Sequence, residues 1–141
     1  MTDILMQWVH LLAAATGVGA LIYGRWVAGP ALAELPAEAR AKALAGMVGR
    51  MRPILFTVMG ALLASGLWNL VVHFAEKPPR YHMIFGIKLL LALHVFAMWI
   101  LLSIPPGANP ARDAKRPRLL ATTAVSATLV LLLSAWLRRG F

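Results

Sequence analysis

The stretch ILMQWVHLLAAATGVGALIYG, residues 4–24, decides the fold. It carries no charge and matches the ~20 residues that a helix needs to cross a bilayer. It lacks a basic leader, is too long for a signal-peptide core, and runs into Arg25-Trp26 without a cleavage site. A retained membrane helix is therefore expected rather than a signal peptide.

Two more uncharged runs follow at Pro53–Ala75 and Leu119–Leu137. A fourth, Leu89–Ile104, is shorter and becomes sufficient once Tyr81–Ile87 is added, with Lys88 inside it. A lysine there buries its stem and lifts its ammonium to the headgroups. The expected architecture is all-α: an integral membrane four-helix bundle, a single domain over residues 1–141, with spans at about 4–28, 53–75, 81–104 and 119–137.

Composition agrees. Hydrophobic residues make up 60% and charged residues 13% of the 141, against about 45–50% and about 25% in soluble domains. So few charges do not cover so much apolar surface, and the same balance excludes disorder. The absence of cysteine excludes disulfides, thiolate metal sites, Fe–S clusters and cysteine nucleophiles. The net charge of +9 would point to nucleic acid in a soluble protein. Here the basic residues fall between apolar runs, so the bilayer is the expected partner and nucleic acid is not.

Lys and Arg counts set the expected orientation. Loops one and three carry Arg25, Arg40, Lys42, Arg50, Arg52, Arg112, Lys115, Arg116 and Arg118. The other side carries Lys77, Arg80, Lys88, Arg138 and Arg139. The excess places loops one and three in the cytoplasm and both termini outside, in the inner (plasma) membrane of a prokaryote. Trp8, Trp68, Tyr81 and Trp136 then sit at the outer boundary, and Tyr23 and Trp26 at the inner one. The first loop, Leu35 to Val48, is expected to form a helix with Pro36 near its start, lying on the inner surface. The third loop, Pro105 to Pro110, reads as a turn that stops a helix.

Small residues let membrane helices approach. On the first helix His10, Ala14, Gly17, Leu21 and Gly24 follow steps of four and three, placing a histidine above a stripe of low bulk. Such a stripe serves backbone contact, or makes room for a flat cofactor.

Two of the four histidines lie inside spans. His10 is seven residues past Asp3, about 10 Å along a helix, and His94 is six past Lys88, about 9 Å. No carboxylate lies within any span. A depth-matched pair of imidazoles in a four-helix bundle suits the iron of a low-spin bis-histidine haem b, with Gly17 beneath it and Arg80 and Lys88 meeting the propionates. The other role for each histidine is a hydrogen bond to a hydroxyl or carbonyl across the bundle. His73 and His82 sit at the outer boundary as interfacial residues, or as a surface metal site with Met83, or as ligands of a second haem. Nucleotide loops, Gly-x-Ser-x-Gly and His-Glu-x-x-His are absent, so hydrolytic readings have no support.

Three segments carry a family likeness. QWVHLLAAATGVGALIYGRW (7–26), GRMRPILFTVMGALLASG (49–66) and FGIKLLLALH (85–94) together resemble the CopD-like and HemJ-like membrane proteins. The HemJ-like resemblance implies haem b and oxidation of protoporphyrinogen IX, with His10 at the position of a first-helix haem ligand and Lys88 at that of the third-helix lysine. The chain departs from that pattern at Gly86, where a histidine is usual, and in the shorter spacing from Lys88 to His94. The CopD-like resemblance implies copper uptake or tolerance. The expectations are thus a haem-binding redox protein acting on a quinone or porphyrin, a copper-handling protein, or a cofactor-free subunit or channel. A homo-oligomer is compatible with each.

Overall fold

The computed structural model describes residues 1–73 and 77–139, the side chains of His73 and Arg139 excepted. The chain is all-α. Helix α1 covers Thr2–Tyr23, a π-helical turn covers Gly24–Ala28, and α2 covers Gly29–Ala33 in continuation of the same rod. Helix α3 is Ala37–His73, α4 is Pro79–Leu102 and α5 is Pro110–Arg139. Four helical rods are long and apolar enough to cross a membrane.

The π turn has a local cause. Pro30 has no N–H to give to the preceding turn. The ladder widens just before it, and Gly29 N–H reaches back five residues to the Gly24 carbonyl. A Cβ on Gly29 would lie 3.2 Å from that oxygen, so glycine suits this close approach.

The first loop differs from the expectation of a separate surface helix. Residues 37–48 continue into the second span as one helix of 37 residues, about 55 Å long. Only about 30 Å of that matches the hydrocarbon of a bilayer. Pro53 lies inside it. One proline removes a single donor, and good helix formers flank it on both sides. Thr57 Oγ1 donates to the Pro53 carbonyl at 2.9 Å.

The last helix also starts earlier than its apolar run, at Pro110. Asn109 caps it: its Oδ1 accepts from Arg112 N at 3.1 Å, and Pro110 takes the position where a missing N–H costs nothing. The turn before it follows the sequence reading. Gly107, at φ +98°, supplies its left-handed residue.

The bundle is apolar outside and small or weakly polar inside. Leu12, Val71, Leu90 and Leu132, one on each rod, are 61–76% exposed, whereas Ser65 and Thr123 are fully buried. A surface of this kind is compatible with lipid around the bundle. The core joins Ala13 and Leu21 of α1, Val58 and Met59 of α3, Val95, Trp99 and Leu102 of α4, and Ala124 and Ala127 of α5. Helix α1 packs closely on α3, and α4 on α5, while α3 and α4 touch little.

Candidate functional site

His10 is half-buried and faces α3. Its Nδ1 lies 2.8 Å from Ser65 Oγ. Ser65 donates its only proton to the Ala61 carbonyl at 2.6 Å, so Oγ accepts from His10 Nδ1–H. The imidazole then keeps its lone pair on Nε2. The hydroxyl contact that the sequence allowed for an intramembrane histidine is therefore present, and it fixes the tautomer. The charged neighbours of His10 are Lys88 on α4 and Arg138 at the end of α5. Near the same end Trp68 Nε1 donates to Asp3 at 3.0 Å, joining the start of α1 to the end of α3.

His94 stands apart. It is exposed on the outer face of α4, one residue before the buried Val95. Counting along the helices from Gly17 and its neighbour Trp99, His10 lies about 10 Å above that level and His94 about 7 Å. The two depths are similar, as the sequence arithmetic requires. The facing differs, and the two imidazoles do not share a gap within one chain. Of a bis-histidine haem site, the chain presents one ligand inside the bundle.

Gly17 is buried, and the space that it leaves is filled. A Cβ built there would overlap Cη2 of Trp99, and would lie 2.6 Å from Cζ2 and 3.3 Å from Val58 Cγ1. Backbone clearance at this point receives an indole. The lower part of the stripe, Leu21 and Gly24, borders a different space, described below.

Lys88 is half-buried and lifts its ammonium over the Phe85 ring at 5.7 Å from the centroid, as a depth anchor does. Arg80 is exposed. His82 is half-buried in edge contact with Tyr81, at 6.1 Å between centroids, and Met83 is exposed. The His73 side chain lies outside the described residues. Among the described residues no group of three or more His, Asp or Glu is placed to hold a metal ion.

One cavity was not anticipated from the sequence. It is half-open and has a volume of about 520 Å³ at the end of the bundle that holds loops one and three, within the ~300–1,000 Å³ usual for small-molecule sites. Leu21, Ala28, Leu44, Met51, Leu55 and Leu120 give it apolar walls, and Trp99 borders it. Arg25, Arg40, Arg116 and Asp113 also line it, and no histidine does.

The charges of this cavity are unbalanced. Asp113 is already satisfied, accepting from Gly107 N–H at 2.6 Å and pairing with Arg112 at 2.8 Å. Arg116 is buried, 9% exposed, and donates to the Leu102 carbonyl at 2.5 Å, capping the end of α4. Arg25 lies over the Trp26 ring, and its Nε is buried without an acceptor among the described residues. None of the three arginines is in a salt bridge among the described residues. The only signal in the sequence was the run of basic residues flanking the first and last spans. Their convergence on one hollow needs the fold.

No family model matches the chain, and neither a curated protein nor a solved structure matches it.

Proposed function

We propose that this chain is a membrane protein that binds an amphipathic anion, with an apolar body and a carboxylate or phosphate head, in the cavity at its basic end. The observation that carries this reading is the cavity itself: apolar walls with three arginines and no free carboxylate. Arginine is well suited to such heads, because its planar fork donates to two oxygens at once. Low dielectric around a buried guanidinium strengthens the attraction for a partner that brings its own negative charge. The excess of basic residues at this end supports an orientation with this end on the cytoplasmic side and both termini outside. Cysteine at Ala111 should then escape labelling by an impermeant maleimide in intact cells while cysteine at Thr2 reacts. The reverse pattern would turn the cavity outward.

Purified protein should bind a fluorescent fatty acid saturably, with decanoate as competitor. Arg25→Gln and Arg40→Gln should each weaken it, about tenfold for a lost charged hydrogen bond. Lack of saturable binding by the wild type, or affinity unchanged in both variants, would overturn the assignment.

A second reading rests on His10. A histidine that gives Nδ1–H to a fixed acceptor presents Nε2 as metal-ligating histidines do. His10 would hold a haem iron from one side, and haem would supply one-electron chemistry near the outer face. Ser65 would orient the ring, and Lys88 and Arg138 would meet propionates. A Soret band in the purified wild type that is lost in His10→Ala supports this second reading. A colourless preparation after growth with added haem precursor rejects it.

A further inference from the structure

We infer, on the reading that the four rods cross a bilayer, that the His94 face of α4 is covered by the same face of a second copy of this chain, with the two imidazoles hydrogen-bonded to each other at a twofold axis along the bilayer normal. His94 is exposed and makes no hydrogen bond among the described residues. It is fifteen residues past Pro79 and eight before Leu102, the ends of its helix, so about 22 Å from one end and about 12 Å from the other. An imidazole is too short to reach the headgroups from there, as a lysine does. Thr16, Thr57, Thr122 and Thr128 are exposed on the other three rods, and each returns its hydroxyl proton to a carbonyl of its own helix one turn back, at 2.8 to 3.1 Å. His94 has no such outlet. Ionisable side chains inside a span almost always face protein or a water-filled cavity, and among the described residues this chain offers His94 neither.

The face around it has the form of a helix–helix seam. Met83, Ile87, Leu90, His94 and Ala97 follow steps of four and three, the spacing that meets a parallel neighbour, and all five are exposed. Ala97 keeps bulk low one turn from His94, which lets two backbones approach. Apolar stripes on the other rods need nothing beyond lipid, and His94 is what sets this one apart. A neutral imidazole carries one N–H and one lone pair, so its partial charges are complementary to those of a second imidazole. A partner of another kind would have to bring a polar group to this depth. A second copy in the same topology brings one there of necessity, because a twofold axis along the bilayer normal keeps every residue at its own depth. A single polar residue in such a seam also fixes its register.

The test uses the full chain, which has no cysteine of its own, so that one introduced thiol reports one position. Leu90→Cys and Ala97→Cys, one turn on either side of His94, should each give a disulfide-linked dimer when membranes are treated with iodine. Leu12→Cys on α1 and Leu132→Cys on α5 should remain monomeric. Affinity is read by energy transfer between copies labelled at Thr2→Cys, in phosphatidylethanolamine–phosphatidylglycerol vesicles of increasing lipid content. His94→Leu should weaken association about three- to twentyfold, the range for hydrogen bonds between membrane helices. His94→Asn keeps a donor and an acceptor and should hold association near wild type. Absence of energy transfer at every lipid content, cross-linking on α1 or α5 but not on α4, affinity unchanged in His94→Leu, or a loss as large in His94→Asn would overturn the inference. Recovery of the wild-type chain in the soluble fraction of lysed cells without detergent would instead overturn the membrane reading on which it rests.

Discussion

Trp99 occupies the hollow that Gly17 leaves in α1. The indole is almost wholly buried, and a single methyl group on Gly17 would overlap its six-membered ring. This contact sets how closely α1 and α4 approach in mid-bundle. It also forms the partition between the arginine-lined cavity on one side and the His10–Ser65 pair on the other.

Gly17→Ala should therefore lower stability in detergent by about 1–3 kcal/mol, the usual cost of overpacking a tight contact. Gly19 is the control, because a Cβ there meets nothing within 4 Å, and Gly19→Ala should leave the thermal midpoint no lower than wild type. Trp99→Phe shortens the ring that causes the overlap. A double-mutant cycle should give a coupling between positions 17 and 99 that relieves much of the Gly17→Ala cost. Equal effects of alanine at 17 and 19 would contradict the contact.

Ser65 is fully buried and joins α3 to His10. Ser65→Ala removes the acceptor of Nδ1–H and should cost about 1–3 kcal/mol, because it leaves one buried donor unpaired. Replacing both ends, His10→Phe with Ser65→Ala, should cost less than the two single changes together. Thermal unfolding of the three variants in one detergent decides it. Strict additivity would mean that the pair is not coupled.

Arg116 closes the end of α4 through the Leu102 carbonyl. Arg116→Met keeps the stem and removes the donor, and should lose about 1.5–3 kcal/mol, the range for a hydrogen bond from a charged group. Arg116→Lys should recover part of it. The loss should be visible as faster hydrogen exchange at Ser103 and Ile104, whose amides close the last turn of α4 on Trp99, Ile100 and Leu101. Unchanged exchange in Arg116→Met would show that the contact contributes nothing to that helix end.

The four rods long and apolar enough to cross a membrane and the turn at 105–110 were legible in the sequence because each depends on local chemistry. A run of about 20 uncharged residues in lipid must satisfy its backbone internally, and a helix is the way a single segment does so. The continuous α3 was less legible. The uncharged run begins only at Pro53, with the first loop read as lying on the surface, yet the loss of one hydrogen bond at that proline does not outweigh the helix formers on both sides.

Depth along each helix was also set by sequence alone, since 1.5 Å per residue places His10 and His94 at similar levels. Rotation about the helix axis was not, because it is fixed by which neighbour each face meets. That is why His94 turns outward beside a buried Val95, why His10 finds Ser65 fifty-five positions away, and why Gly17 houses an indole. The convergence of Arg25, Arg40 and Arg116 on one cavity has the same origin. They lie on three different rods, and only packing in three dimensions decides that their side chains border a common space.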